Sequence, residues 1–273
     1  MEGNVLLAFG LTLFAGLSTG IGSALAFFTK TTNTKFLSWS LGFSGGVMIY
    51  VSFTEILGKS RDLLTGVYGN VPGNWYTVIS FFAGIFLIAI IDLLVPSYEN
   101  PHEAHRVEEM FNSNRNNKGP KGVDGLLRMG IFMALAIAIH NFPEGLATFA
   151  AGMTDIKIAL PIAIAIAIHN IPEGIAISIP IYFATGKKRK AFFLSLLSGL
   201  AEPLGALIGY FMLSPFFSES LLGILLGSVA GIMVFISVDE LLPTAHEYGF
   251  HHQSVFGLIA GMIVMAVSLL LFL

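Results

Sequence analysis

The sequence predicts an all-α integral membrane protein: eight transmembrane helices in a 3+2+3 arrangement, with an inverted repeat (spans 1–3 versus 6–8) around central spans 4 and 5. Three observations predict it. The chain is 55% hydrophobic and only 11% charged, against about 25% charged in an ordinary soluble domain. Apolar runs of membrane-spanning length recur along it. Two segments, IAIHNFPEGLA at Ile137–Ala147 and IAIHNIPEGIA at Ile166–Ala176, agree at nine of eleven positions. There is no cysteine, which excludes disulfides and thiolate metal sites.

The spans fall at about 4–28, 36–57, 75–96, 128–151, 157–183, 191–213, 219–243 and 254–273. A helical bundle is the expected solution, because a spanning backbone must satisfy its own hydrogen bonds. The start, MEGNVLLAFG, lacks a basic n-region, so it reads as a retained first helix. Residues 1–273 read as a single transmembrane domain. The stretch Ser97–Gly125, rich in Asn, Gly and charge, reads as a cytoplasmic loop within it.

Lysine and arginine set the orientation. The loops after spans 1, 3 and 5 hold eleven, from Lys30 and Lys35 through Arg106–Arg128 to Lys187–Lys190. The loops after spans 2 and 4 hold three: Lys59, Arg61 and Lys157. The odd loops are therefore expected in the cytoplasm and both termini outside, in a multi-pass protein of the cell (inner) membrane.

The repeat is legible in spans 2 and 7. LGFSGGVMIYVSFTEIL (Leu41–Leu57) and LGSVAGIMVFISVDELL (Leu226–Leu242) share Leu, Gly, Gly, Met, Ser, Glu and Leu without a gap. Span 1 from Gly16 aligns more weakly with span 6 from Gly199, and span 3 with span 8 through Ala-Gly. An odd number of spans separates the direction of each span from that of its mate, so the repeats are opposed. Opposed repeats around a midplane site are the architecture of many secondary transporters.

Spans 4 and 5 carry the chemistry. The turn between them centres near Thr154–Asp155, and His140 and His169 lie about 14 residues to either side. At about 1.5 Å rise per residue, both sit at one depth near the bilayer midplane. A helix turns about 100° per residue. Glu144 therefore projects between His140 and Asn141, and Glu173 between His169 and Asn170. Each carboxylate is placed to share one cation with a histidine and a second with an asparagine. Pro143 and Pro172 leave the carbonyls of Ile139 and Ile168 without a helical donor. Gly145 and Gly174 permit close helix approach.

Glu202 adds a midspan carboxylate in span 6, and its repeat mate in span 1 is Thr19. Met48, central in span 2, is the one soft ligand the first half offers; Met233 is its mate. Ionisable groups at mid-bilayer cost about 2.5–3.5 kcal/mol each on insertion scales, so three glutamates and two histidines point to function rather than to helix association. The candidate metal ligands are His140, Asn141, Glu144, His169, Asn170, Glu173, Glu202 and Met48. Imidazole, carboxylate and amide without thiolate suit Zn²⁺, Fe²⁺, Mn²⁺, Co²⁺ or Cd²⁺. Calcium or magnesium would not call for paired imidazoles. The ion is cargo; no cofactor is expected.

The motifs HNFPEG and HNIPEG on consecutive spans, with GLAEPLG on the next, resemble the zinc–iron permease (ZIP) family of divalent metal transporters, and most closely its bacterial zinc-uptake, ZupT-type branch. The resemblance covers essentially the whole chain. It implies an eight-helix bundle with both termini outside and a binuclear metal centre. His140, Glu144, His169 and Glu173 match the family's primary site. Asn141, Asn170 and Glu202 match the second, and Met48 a methionine some members supply from the second helix. Many eukaryotic members carry a long histidine-rich loop between spans 3 and 4; here that loop has only His102 and His105.

Glu55 and its mate Glu240, beside Asp239, are candidate outer and inner vestibule carboxylates. Asp92, His102, His105, His246, Glu247, His251 and His252 fall at or near the cytoplasmic face, where they are placed to receive metal from the exit. The expected activity is alternating-access uptake of a divalent transition metal into the cytoplasm. A metal-selective channel is the alternative. An intramembrane metalloenzyme is the less favoured one: a zincin needs HExxH, and asparagine stands where its glutamate would be. Metal ions and the lipid bilayer are the expected partners, nucleic acid is not, and a homodimer is a further expectation.

Overall fold

The computed structural model describes residues 2–27, 34–94, 121–213, 218–247 and 251–271, and among them all regular structure is helical. Helix α1 is Glu2–Ala26. Helix α2, Thr34–Val51, passes through a π-helical turn at Ser52–Ile56 into α3, Leu57–Tyr68. Helix α4 is Asn70–Leu94. The two motif helices are α5, Lys121–Thr154, and α6, Ile156–Thr185. Helices α7, Lys188–Gly199, and α8, Ala201–Leu213, divide one span. Helix α9, Glu219–Ile236, passes through a second π-helical turn, Ser237–Leu241, into α10, Leu242–Glu247. Helix α11 is His251–Leu271.

Seven helical stretches among the described residues are long and apolar enough to cross a membrane: Val5–Leu25, Ser38–Tyr68, Asn70–Ile91, Ala159–Ile179, Lys188–Phe211, Glu219–His246 and His251–Leu270. Ala159–Ile179 is the most deeply enclosed of them. Outer faces such as Phe86, Leu93 and Phe211 are exposed, which suits hydrocarbon contact.

Helix ends follow local chemistry. Asp155 starts α6 by accepting the Lys157 backbone N–H at 2.9 Å, the usual service of an N-cap carboxylate. Gly186 ends it with φ 65°, its N–H reaching the Tyr182 carbonyl at 2.7 Å. That left-handed cap is cheap only for glycine.

Three boundaries differ from the sequence expectation. The second span does not stop near 57; α3 continues to Tyr68, so Lys59, Arg61 and Asp62 ride on a helix rather than a loop. A helix satisfies its own backbone, so it need not end where its side chains turn polar. Helix α5 starts at Lys121, ahead of the expected 128, so Lys121–Gly125 of the expected loop is helical. Residues 97–120, with His102 and His105, lie outside the described residues. The sixth span is broken at Leu200. Pro203 has no N–H for the Gly199 carbonyl, and the chain restarts with Glu202 in the first turn of α8, where the helix dipole favours an acid.

Corresponding positions of the two halves pack in corresponding ways. A side chain on Gly46 would strike the Leu258 carbonyl, and one on Gly231 the carbonyl of Phe81, the repeat mate of Leu258. Gly261 meets Phe43 as Gly84 meets Ser228. In the centre, Gly22 meets the Ile171 carbonyl as Gly205 meets that of Phe142. Gly174 meets Thr19 as Gly145 meets Glu202, and Gly16 and Gly199 meet each other. The two π-turns also occupy matching positions. Ser52 Oγ donates to the Met48 carbonyl at 2.6 Å, and Ser237 Oγ to that of Met233 at 2.7 Å.

Candidate metal centre

The motif helices α5 and α6 pack against each other, with α1 and α8 on their flanks. Both run through their motif prolines without breaking. Gly145 and Gly174 let α8 and α1 come close, as their sequence context suggested.

Glu144 and His169 meet across the two helices: Glu144 Oε2 lies 3.3 Å from His169 Nε2, both side chains buried. Ser44 of α2 donates to the His169 carbonyl at 3.3 Å, which ties the second span to this helix at motif depth. Met48, one turn further along α2, is fully buried in the main apolar core. Glu173 is fully buried as well. The side chain of His140 lies outside the described residues, and its backbone sits within α5.

The two asparagines are held alike. Asn170 Nδ2 donates to the Ala15 carbonyl at 3.0 Å, and Asn141 Nδ2 to the Ser198 carbonyl at 3.3 Å. A carbonyl only accepts, so each amide must turn its nitrogen toward its anchor and its oxygen away. Asn141 Oδ1 and Asn170 Oδ1 are buried without a hydrogen-bond partner. Asn170 Nδ2 also donates to Glu202 Oε1. Glu202 Oε2 and Glu144 Oε1 are buried and unpartnered too, and the carboxylates of Glu144 and Glu173 lie within electrostatic reach of Glu202.

Buried acceptors without donors cost about 1–3 kcal/mol each. The four named here are two asparagine oxygens and one oxygen each of Glu144 and Glu202, a set that a divalent cation would satisfy. Among the described residues, no three His, Asp or Glu side chains form a ready-made metal cage. The anchors Ala15 and Ser198 were not foreseen, since they act through backbone carbonyls. Each immediately precedes the stretch over which span 1 aligns with span 6, from Gly16 and Gly199.

The remaining candidates stand apart. Glu55 is half-buried in the first π-turn, and Asp239 half-buried in the second. The side chains of Asp92, Glu240 and Glu247 lie outside the described residues. His246 is exposed, its ring 4.7 Å from that of His251, which is 5.5 Å from that of His252.

Membrane-length helices around a buried, anchored set of His, Asn and Glu define a polytopic membrane protein. Comparison with known proteins gives the family. Residues 93–269 match the family model described as ZIP Zinc transporter. The chain is 61% identical to zinc transporter ZupT of Clostridium perfringens, over 98% of this chain and 97% of that protein. It is 59% identical to zinc transporter ZupT of Nitratidesulfovibrio vulgaris, over 100% and 99% respectively. It is 60% identical to zinc transporter ZupT of Chlorobium chlorochromatii, over the full length of both. The chain belongs to the ZIP family, whose members are transporters rather than enzymes.

Proposed function

We propose that this protein takes up zinc, and with it Fe²⁺, Mn²⁺, Co²⁺ or Cd²⁺, from outside the cell into the cytoplasm through a two-position site at the bilayer midplane. The observation that carries the reading is the Glu144–His169 contact across the motif helices at 3.3 Å. It brings ligands from both copies of the motif into one buried place. His140, Glu144, His169 and Glu173 hold the first ion, with Met48 on the α2 side. Asn141, Asn170 and Glu202 hold the second, and Glu144 and Glu173 bridge the two. The relatives named as zinc transporters put zinc first in the list.

In this reading α5 is the eighth crossing. Its 34 residues span roughly 50 Å at 1.5 Å per residue, more than the hydrocarbon core requires. The matched glycine contacts and matched π-turns support a 3+2+3 bundle of opposed repeats in the inner membrane, termini outside. Transport is by alternating access. Glu55 receives the ion at the outer vestibule. Asp239, Glu240, Asp92 and His246, with His102 of the cytoplasmic loop, receive it inside. The partners are the metal and the bilayer; a homodimer is no part of this reading.

The test is metal flux into liposomes carrying the purified protein, measured for several ions. Saturating zinc entry at carrier rates is expected, and its loss in both Glu144→Gln and Glu173→Gln. Normal entry by both variants would sink the site assignment. Non-saturating flux at channel rates would favour the channel.

A further inference from the structure

Helix α1 contributes no carboxylate or imidazole to the centre, yet it contributes an unexplained hydroxyl. Thr19 is fully buried, and its Oγ1 has no hydrogen-bond partner. A threonine inside a helix ordinarily returns its proton to the carbonyl four residues back. Thr12 does so to Ala8 at 2.9 Å, and Ser52 to Met48 at 2.6 Å. For Thr19 that acceptor is the Ala15 carbonyl, which is already occupied. It takes Ser18 Oγ at 2.6 Å and Asn170 Nδ2 at 3.0 Å, besides the helix N–H. A carbonyl oxygen has two lone pairs. That carbonyl is saturated, and Thr19 Oγ1 makes no bond to any other acceptor.

The location of the hydroxyl matters as much as its freedom. A methyl group on Gly199 would stand 2.6 Å from Thr19 Oγ1. Gly199 follows Ser198, whose carbonyl anchors Asn141, and lies one turn before Glu202. Asn170 meanwhile bonds both the Ala15 carbonyl, one turn before Thr19, and Glu202. The hydroxyl is thus enclosed between the elements that hold the second position. Thr19 is also the repeat mate of Glu202, so it occupies in one half the place the carboxylate takes in the other.

We propose that the Thr19 hydroxyl is a further cation-binding oxygen, contributed by α1 to the position formed by Asn170 and Glu202. The proposal rests on the two-position reading above. It makes that position an all-oxygen one, with a neutral donor opposite a carboxylate. Such a set suits harder divalent ions such as Mn²⁺ better than an imidazole site does. The α1 oxygen therefore bears on selectivity as well as affinity.

The test is equilibrium binding of Zn²⁺ and Mn²⁺ to the full chain in lipid nanodiscs, for the wild type, Thr19→Val and Thr19→Ser. Valine keeps the shape and removes the oxygen; serine keeps the oxygen and removes the methyl. The expected result is two bound equivalents in the wild type. In Thr19→Val the second equivalent weakens by roughly tenfold, the lower end of losses seen when groups around a metal are removed, and Mn²⁺ suffers more than Zn²⁺. Thr19→Ser retains both within about twofold. Two unchanged equivalents in Thr19→Val overturn the role of Thr19 alone. Equal loss in both variants also overturns it, since the methyl and its packing would then be responsible. A single equivalent in the wild type overturns the two-position reading and the proposal with it. Melting temperatures without metal that match the wild type show that the variants are folded.

Discussion

Glu144 reaches across from one motif helix to the buried ring of His169 on the next, 3.3 Å from its Nε2. Neither helix alone holds both groups. The two copies of the motif therefore meet in one buried contact. Glu144→Gln keeps the shape and removes the charge. Its zinc uptake into liposomes should fall by at least about 100-fold, as expected when a charged ligand at a buried site is lost. Glu144→Asp should fall less. Equal rates for the glutamine variant and the wild type would contradict the assignment.

The anchored asparagines predict a separable defect. Asn170→Ala removes an oxygen donor and leaves the Ala15 carbonyl and Glu202 without their shared partner. Equilibrium dialysis should show the bound metal falling from two equivalents toward one, while the equivalent held by the histidines survives. His169→Ala should have the opposite selectivity.

The helix contacts predict a structural defect. A Cβ at Gly174 would enter the Thr19 carbonyl, and one at Gly145 the carbonyl of Glu202. Gly174→Ala and Gly145→Ala should each lose about 1–3 kcal/mol of stability, the cost of overpacking a tight contact, read as a lower unfolding temperature in detergent. Gly58→Ala, with nothing near its Cβ, is the control and should be neutral or slightly stabilising in its helix.

The ligand chemistry predicts the direction of the pH effect. Imidazole and carboxylate bind metal only when deprotonated, so acid weakens binding. A proton competing for an imidazole ligand makes the apparent affinity fall between about pH 7.5 and about 5.5. Initial uptake rates against zinc concentration at those two values should show the apparent KM rising as pH falls. A pH-independent KM would remove the histidines from the binding step.

Much of this was legible in the sequence, for stated reasons. Spans announce themselves because hydrocarbon demands long apolar runs. The motifs do so because His, Asn and Glu are costly there and appear twice. What stayed hidden depended on distance. Thr19 reads as packing in an apolar helix, and its freedom appears only once Ser18 and Asn170 are seen on the Ala15 carbonyl. Hydropathy hides the break at Leu200, because apolar runs flank Glu202 and Pro203 on both sides. Hydropathy tracks solvent rather than backbone conformation, so it does not reveal the helix that carries Lys59 and Arg61.

The two π-turns carry a consequence for anyone mapping variants onto this chain. Each wide turn adds a residue relative to an α-helix and so shifts the angular phase of everything beyond it by about a quarter turn. A helical wheel drawn from Leu41 straight through to Asp62, or from Leu226 through to His246, assigns the far half to the wrong face. Residues before and after Ser52–Ile56 need separate wheels, and so do those flanking Ser237–Leu241.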